Sequence, residues 1–209
     1  MSGDFQLLET MRVEADGTIR LLARHLDRLG RSARYFGYAC DAGLPGAILD
    51  EAAQQVAAGV FRLLLARDGS FELQKRPLPE PGKPSRLVKA QLRVSSAEPL
   101  LRHKTTSRGI YERASLGCDA ETGVILINER GEATETTILN IAVLRKNQWV
   151  TPKLSCGLLP GTMRAQLLDE RQIVEGVVRA EELVPGENIR CFNAVRGVFN
   201  VRFEDILAT

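Results

Sequence analysis

The stretch GVILINERGEATETTILNIAVLR, residues 123–145, decides the fold of the second half of the chain. Its two apolar runs, Gly123–Asn128 and Ile138–Arg145, predict strands. The polar segment between them contains a turn and then Glu135, shortly before the second strand. Because strands dominate the residues around this pair, we expect an α/β (α+β) protein with a mixed, barrel-like sheet instead of a βαβ ladder.

The remainder of the second half is predicted as further strands with one well-marked helix. A turn is predicted at Lys146-Asn147, directly after the second of these two strands. The other predicted elements, in chain order, are a strand at Leu87–Val94, a short helix near Ser107–Leu116, a helix at Gly161–Gly176, a short turn at Glu181–Leu183, and strands around Asn188–Phe192 and Val198–Arg202.

The first half predicts a small α/β domain. Apolar residues that recur every three or four positions indicate an amphipathic helix with a basic outer face, and a glycine between two apolar runs indicates a hairpin turn. The predicted elements are a strand at 5–13, helices at Leu22–Tyr38 and Gly46–Ala58, and a hairpin within 60–76 that turns at Arg67-Asp68-Gly69.

A proline-rich stretch separates the two halves. The segment RPLPEPGKPS, residues 76–85, contains four of the nine prolines of the chain. Proline is excluded from helix interiors and from central strands. We therefore predict a small domain at 1–76, a linker at 77–86 and a larger domain at 87–209.

Composition excludes several classes of protein. The 28 basic and 26 acidic residues of the 209-residue chain leave a net charge of +2, too small to suggest a nucleic-acid or membrane partner. No apolar run approaches the roughly 20 residues of a membrane span, and no secretion signal is recognisable. The four cysteines lack zinc spacing, and His25 and His103 are the only histidines, so no metal site is predicted. We expect a cytoplasmic protein.

Lys104, in the polar segment HKTTSRGIY at 103–111, is a candidate catalytic residue. A lysine that forms a Schiff base must lose its proton near neutral pH, which requires desolvation or cationic neighbours. His103 and Arg108 could supply that charge. From the local sequence alone, a solvated surface lysine is the alternative.

Two further segments are candidates for binding an anion or a heterocycle. LLPGTMR at 158–164 enters a predicted helix, so the amides of Thr162 and Met163 could point at an anion. Glu135 could hold a protonated heterocyclic nitrogen. The alternatives are an ordinary helix start and a surface carboxylate, and for Arg28 on the first helix a solvated face.

Taken in order, five blocks of sequence resemble the class IV family of pyridoxal-phosphate enzymes. That family includes branched-chain and D-amino-acid aminotransferases and 4-amino-4-deoxychorismate lyases. The matching blocks span nearly the whole chain, and they are LLARHLDRLGRSA (21–33), HKTTSRGIYERA (103–114), LINERGEATETTILNIAV (126–143), TPKLSCGLLPGTMR (151–164) and CFNAVRGVFNVR (191–202).

The resemblance implies pyridoxal 5'-phosphate as cofactor and assigns roles to individual residues. By motif position, Lys104 resembles the lysine that forms the Schiff base and then moves protons. Glu135 matches the glutamate that pairs with the pyridine nitrogen, which makes the ring a better electron sink. Arg28 matches the phosphate-binding arginine, with a bidentate grip on the phosphate.

The phosphate site would be completed by other residues. The resemblance places Thr162 and Met163 at the helix start that binds the phosphate, and Asn193 and Ala194 opposite them. The family fold, fold type IV, has a small N-terminal α/β domain and a larger pseudobarrel domain with the cofactor between them. It usually forms homodimers whose partner subunit helps to enclose the site. The few residues before Phe5 imply that the partner subunit or solvent covers what a longer N-terminus covers in other members.

Within the family, FQLLETMRVEADG at 5–17 and the HKTT-x-R-x-x-Y pattern most resemble aminodeoxychorismate lyase domains, some of which are fused to a synthase. The R-x-H pair of D-amino-acid aminotransferases and the Arg-Gly loop of branched-chain enzymes are missing after the strand at 60–67. The resemblance therefore implies a lyase that acts on a small anionic amine, with an aminotransferase as the alternative. Substrate-facing residues stay open, with Tyr111, Arg108 and Arg196 as candidates, and so does a synthase partner.

Overall fold

The computed structural model describes residues 4–41, 43–54, 58–79 and 84–205. The chain forms two compact units. Unit 1 comprises Met1–Glu80 together with His103–Ser107, and unit 2 comprises Pro81–Arg102 and Arg108–Thr209.

Unit 1 is an antiparallel sheet of three strands with two helices. The strands lie in the order β1-β2-β3, and the hairpin of β2 and β3 follows the helices in the chain. The elements are β1 (Leu7–Val13), α1 (Leu22–Phe36), α2 (Leu44–Ala53), β2 (Gly59–Leu65) and β3 (Phe71–Arg76).

One face of β1 packs against α1. Side chains alternate along a strand, so Leu7, Glu9 and Met11 share this face. Leu7 and Met11 are buried in a cluster with Leu29 and Ala33 of the helix. Glu9 is a charged residue in the same buried row, and it therefore requires polar partners on α1.

The segment that carries Lys104 joins the small sheet at the free side of β1. Leu7 forms an antiparallel bridge with Thr105, Leu8 N–H donates to the Lys104 carbonyl at 3.0 Å, and Thr106 N–H donates to the Gln6 carbonyl at 2.9 Å. The backbone on both sides of Lys104 is therefore held by unit 1, although the sequence around it belongs to the second half.

Unit 2 is built on one mixed sheet of eight strands in the order β6-β5-β4-β11-β10-β7-β8-β9. The pairs β4–β5, β4–β11 and β8–β9 are parallel and the others antiparallel. The elements of unit 2 are β4 (Arg86–Val94), α3 (Pro99–Arg102), α4 (Gly109–Ala114), β5 (Thr122–Asn128), β6 (Ala133–Thr136), β7 (Asn140–Arg145), β8 (Gln148–Pro152), α5 (Thr162–Asp169), β9 (Val174–Gly176), β10 (Asn188–Asn193) and β11 (Gly197–Phe203).

The connection between β6 and β7 shows why the sheet curls. These strands are separated by four others in the sheet order, yet only residues 137–139 join them in the chain. Thr136 N–H donates to the Leu139 carbonyl at 2.8 Å and closes this connection. The edge strand must therefore bend round to meet an interior strand, which confirms the predicted barrel-like sheet and the mixed α/β class.

Most predicted elements are confirmed, but one predicted helix is observed only over its first half. The predicted helix at Gly161–Gly176 ends at Asp169, where Arg171 adopts a positive φ of 55°. Residues Val174–Gly176 instead form β9, which pairs in parallel with β8. The apolar spacing of this segment fits a helix, but pairing with the sheet and burial of Ile173 determine its structure.

The strand β6 was not predicted because its residues are mostly polar. All four residues of β6 are buried although its sequence is ATET. The Thr134 hydroxyl donates to the Leu126 carbonyl at 3.2 Å and the Thr136 hydroxyl to the Leu139 carbonyl at 3.2 Å. Hydrogen bonds thus replace apolar contacts in this strand, and its hydropathy pattern gave no strand signal. The strand β8 and the short helix α3 were likewise not predicted.

Two predictions fall partly outside the described residues. The helix predicted at Gly46–Ala58 is observed at Leu44–Ala53, and residues 55–57 lie outside the described ranges. The predicted linker includes residues 80–83, which also lie outside them, and Arg86 belongs to β4 instead. No helix in the described part of the chain is long and apolar enough to cross a membrane.

Candidate active site

The predicted lysine lies on an extended segment anchored at its backbone. Lys104 is partly exposed, and its neighbour His103 is hydrogen-bonded through Nδ1 to Ser32 Oγ at 2.9 Å. The imidazole of His103 also stacks on Tyr35 with 4.4 Å between ring centroids. His103 therefore has a packing role against α1, in addition to any charge that it contributes near Lys104.

A buried ion cluster on unit 1 surrounds Arg28. Its Nε donates to Glu9 Oε1 at 2.8 Å and its Nη2 donates to Glu9 Oε2 at 2.6 Å. On the other side, His25 Nδ1–H donates to Glu9 Oε2, also at 2.6 Å. All three side chains are buried. The helix residues at positions 25 and 28 thus reach one carboxylate on the facing strand.

The charges in this cluster determine its protonation. Burial raises the pKa of Glu9, but the charge and hydrogen bonds of Arg28, with those of His25, outweigh burial and hold this pKa at about 2. Burial lowers the pKa of His25, the hydrogen bond to Glu9 and its charge oppose that effect, and the positive charges of Arg28 and Lys104 lower it further. Glu9 is therefore ionised at neutral pH beside the Arg28 guanidinium, and the lowered pKa of His25 favours its neutral form.

The structure corrects one expectation about Arg28. The solvated helix face is wrong, because the side chain is buried. The guanidinium edge formed by Nε and Nη2 contacts Glu9. Glu9 fixes the orientation of the guanidinium, and a role of Arg28 in phosphate binding stays a prediction.

Glu135 on β6 is buried and is held by neutral hydrogen-bond donors of unit 2. The Tyr111 hydroxyl donates to Oε1 at 3.1 Å, and Leu159 N–H donates to the same oxygen at 3.2 Å. Asn140 Nδ2 donates to Oε2 at 3.0 Å. The surface-carboxylate alternative is wrong, since a carboxylate in this position is desolvated and oriented.

The environment of Tyr111 favours its protonated phenol, which donates to Glu135. Burial, the negative charge of Glu135 and the hydrogen bond to it raise the pKa of Tyr111 far above its usual range. The guanidinium of Arg108 lies 4.4 Å from the centre of the tyrosine ring and donates to the Thr137 carbonyl. Both residues were candidates for substrate contact, and both have structural contacts around the carboxylate.

The segment 158–161 leads directly from Glu135 to the start of α5. Leu159 binds the carboxylate, and α5 begins three residues later at Thr162. The residue before the helix is Gly161, so no side chain caps its first turn. A helix start of this kind presents backbone amides and the positive end of the helix dipole. Thr162 and Met163 are both buried there.

The turn between β10 and β11 contains the remaining predicted residues. Asn193 Oδ1 accepts hydrogen bonds from the amides of Val195 at 3.0 Å and Arg196 at 2.8 Å, and its Nδ2 donates to the Ile138 carbonyl at 3.2 Å. The Asn193 side chain therefore shapes the turn. Ala194 is buried beside it. A role of Asn193 and Ala194 in phosphate binding stays a prediction.

Two site residues escaped the sequence analysis. Glu9 could have been found as a carboxylate in a row of apolar strand residues, because such a residue needs a cation on the facing helix. Asn140 was part of a quoted motif, but it begins an apolar strand and carried no signal for its contact with Glu135. In both cases the missing information was the partner, which is distant in sequence.

The sequence matches the model of a known protein family. A family model described as Amino-transferase class IV matches residues 6–202. The chain belongs to this family. Class IV members are pyridoxal-phosphate-dependent enzymes, so the chain is an enzyme of that kind, as the resemblance implied.

Some similar proteins are named lyases and others are named aminotransferases. A Schizosaccharomyces pombe protein named "Putative aminodeoxychorismate lyase" is 36% identical over 197 residues, covering 88% of this chain and 84% of that protein. The crystal structure of a "Putative amino-acid aminotransferase" from Mesorhizobium loti is 35% identical, with a TM-score of 0.87 and coverage of 96% of this chain and 100% of that one. A PLP-bound hypothetical aminotransferase from Mycobacterium tuberculosis shares the fold at 20% identity, with a TM-score of 0.79 and coverage of 95% and 81%.

The residues present fit the cofactor that the family implies. Lys104 supplies an amine for its aldehyde carbon, and Glu135 is a buried, oriented carboxylate that suits a protonated pyridine nitrogen. The start of α5 suits its phosphate. A close approach at this helix start also requires glycine, since a Cβ on Gly161 would lie 2.0 Å from Asn140 Oδ1.

Proposed function

We propose that the protein is a pyridoxal-phosphate-dependent lyase that cleaves 4-amino-4-deoxychorismate to 4-aminobenzoate and pyruvate. Support comes from the lyase name of the Schizosaccharomyces pombe relative, whose similarity extends over most of both chains. The resemblance of the first strand segment (5–17) and of the HKTT-x-R-x-x-Y segment (103–111) to aminodeoxychorismate lyase domains also supports the lyase.

The observation that carries the proposal is the tight turn between β2 and β3. Ala66 N–H donates to the Ser70 carbonyl at 3.0 Å, and Gly69 has a positive φ of 93°. Arg67, the arginine of this turn, donates to the Phe36 carbonyl at 3.1 Å and lies over the ring of Tyr38. The sequence of this turn and of the strand after it contains no R-x-H pair of the kind with which D-amino-acid aminotransferases bind a substrate carboxylate.

The residues of the chain can perform the proton transfers of this reaction. When bound, pyridoxal phosphate supplies an electron sink for a carbanion at the amine-bearing carbon of the substrate. Lys104 Nζ would remove the proton from that carbon. The C–O bond to the enolpyruvyl group then breaks, and its electron pair leaves with the enolate of pyruvate. Lys104 would return the proton to that leaving group, and the ring becomes aromatic.

Glu135 and Arg28 would support this chemistry without touching the reacting bonds. The Glu135 carboxylate would hold the proton on the pyridine nitrogen, and its orientation is set by Tyr111, Leu159 and Asn140. Arg28, oriented by Glu9, would bind the phosphate. The substrate is a small anion, which is consistent with local arginines and a nearly neutral chain.

A direct assay tests the proposal. The purified protein with pyridoxal phosphate and 4-amino-4-deoxychorismate should release 4-aminobenzoate and pyruvate in equal amounts. Lys104→Ala should lower turnover at least about 10³-fold, because the general base is lost. The matched control is Lys153→Ala, which removes an exposed lysine and should leave turnover unchanged.

An aminotransferase is the second candidate, favoured by the name of the Mesorhizobium loti protein. It would use the same lysine and carboxylate but transfer the amino group to a 2-oxo acid. A panel of amino donors with 2-oxo acids separates the two. Formation of a new amino acid, with no release of 4-aminobenzoate from 4-amino-4-deoxychorismate, would overturn the lyase proposal.

A further inference from the structure

Asn140 connects two parts of unit 2 that are predicted to bind opposite ends of the cofactor. Its Nδ2 donates one hydrogen bond to Glu135 Oε2 at 3.0 Å and another to the Leu159 carbonyl at 3.0 Å. The side chain is 6% exposed. A primary amide has two N–H groups, so both donors of Asn140 are used in this connection.

The connection is a closed ring. Leu159 N–H donates to Glu135 Oε1 at 3.2 Å, while its carbonyl accepts from Asn140. Three residues therefore hold the carboxylate and the segment 158–161 at a fixed separation. Because the amide is neutral, it orients Glu135 without cancelling the negative charge.

The other end of the Asn140 amide sets the start of α5. A Cβ at position 161 would lie 2.0 Å from Asn140 Oδ1, while its next contact outside Asn140, with Arg164 Cβ at 3.6 Å, is ordinary. Gly161 has φ −64° and ψ 142°, a conformation open to any residue. Glycine is thus required there because of the space that Asn140 occupies and not because of the backbone.

We propose that Asn140 is a positioning residue that sets the distance between Glu135 and the phosphate-binding start of α5, so that one rigid element holds both ends of the cofactor. The proposal rests on pyridoxal phosphate as the cofactor and not on the choice between lyase and aminotransferase. Asn140 would affect phosphate binding without touching the phosphate.

Unit 2 contains a matched asparagine for control. Asn128 is also buried, and its Nδ2 also donates to a carboxylate, Glu132 Oε2 at 2.8 Å, and to a backbone carbonyl, that of Cys156 at 3.0 Å. Replacing Asn128 removes the same two kinds of hydrogen bond, together with two that its Oδ1 accepts from the amides of Arg130 and Glu132, but its carboxylate partner is not a predicted cofactor ligand. It therefore reports the general cost of losing a buried asparagine.

The first test measures binding by the apoprotein. Titration with pyridoxal phosphate and with pyridoxal, followed by absorbance, gives two Kd values whose ratio is the contribution of the phosphate. In Asn140→Ala we expect this ratio to fall about tenfold, because the helix start is no longer held against Glu135. Asn128→Ala should leave the ratio within about twofold of wild type while lowering Tm by a comparable amount.

The second test uses Gly161→Ala to reach the same contact from its other side. In the wild-type background this change should weaken binding of pyridoxal phosphate about tenfold, since the new methyl group meets Asn140. In the Asn140→Ala background it should cost less than about twofold, because the obstructing amide is gone. This rescue requires a folded protein with bound cofactor, so it cannot arise from unfolding.

The outcomes separate the proposals. Equal falls of the ratio in Asn140→Ala and Asn128→Ala, or additive effects of Asn140→Ala and Gly161→Ala, would overturn the role of Asn140 and leave the proposed function standing. Absence of pyridoxal phosphate binding by the wild-type protein would overturn both. A coupled pair of variants in a protein that forms no 4-aminobenzoate would support Asn140 and overturn the lyase.

Discussion

Glu9 and Glu135 are both buried carboxylates, one in each unit, and they are stabilised in different ways. Glu9 receives hydrogen bonds from the guanidinium of Arg28 and from His25. Glu135 receives them from a phenol, a backbone amide and a side-chain amide. The first carboxylate is thus paired with a positive charge inside its own cluster, whereas the donors described for the second are neutral.

The partners of each carboxylate determine which interactions it can make. A charge that is neutralised by a neighbouring arginine orients that arginine, and removing it leaves a buried cation. A charge that is held by neutral dipoles keeps its attraction for a cationic ligand, and the dipoles contribute only geometry. On the proposed function, Glu9 would position Arg28 and Glu135 would pair with the pyridine nitrogen, and three variants test this division.

The largest effect is expected from Glu135→Gln. An amide cannot keep the pyridine nitrogen protonated, so turnover should fall about 10²–10³-fold. Binding of pyridoxal phosphate should weaken less than about tenfold, because the phosphate and the lysine still contribute. Steady-state kinetics and a cofactor titration measure the two quantities. A larger loss of binding than of turnover would contradict the assignment.

Glu9→Gln should affect binding more than turnover. Binding of pyridoxal phosphate should weaken about tenfold, and turnover of the saturated enzyme should change less. It should also alter acid stability. The pKa of Glu9 is about 2 in the folded protein, against an ordinary value of 4.5, so its contribution to stability is present above about pH 4.5 and is lost as the pH falls towards 2.

That contribution is about 3 kcal/mol at neutral pH, since each pKa unit corresponds to about 1.4 kcal/mol. Denaturant unfolding of wild type and Glu9→Gln between pH 7 and pH 3 measures it. The difference in the free energy of unfolding should be largest near neutral pH and should narrow below about pH 4.5. A constant difference over this range would show that Glu9 is not held ionised by Arg28.

The smallest effect is expected from Tyr111→Phe, which removes one of the neutral donors to Glu135. Asn140 and Leu159 still hold the carboxylate, so turnover should fall only about threefold to tenfold. Tyr38→Phe is the matched control, because its hydroxyl donates to a backbone carbonyl, that of Phe5, within unit 1. It should lower Tm without changing turnover, and equal effects of both variants on turnover would refute the role of Tyr111.

Local sequence was sufficient wherever neighbours in the chain decide the structure. The strand at β1, the helix α1 and the β2–β3 hairpin were predicted because apolar spacing and a turn glycine act over a few residues. The strand β6 was not, because its buried threonines are satisfied by the carbonyls of Leu126 and Leu139. A polar residue gives no sign in the sequence of whether it will find such a partner.

The same limit applies to the candidate site. Ordered motifs were enough to select Lys104, Glu135 and Arg28, since the chemistry of these residue types is a property of the side chain itself. They were not enough to show that Arg28 is turned towards Glu9 or that Asn140 bridges Glu135 and Leu159. Those facts depend on distances between segments that are remote in the chain.

The sequence by itself therefore determined the family, the elements with strong local periodicity and the residue types available for pyridoxal phosphate chemistry. Only the tertiary structure showed that Glu9 is paired with Arg28 and that Tyr111, Leu159 and Asn140 donate hydrogen bonds to Glu135. The physical reason is that desolvation and hydrogen bonding depend on what the fold places around a group, and in this protein the fold gives Glu9 and Glu135 different environments.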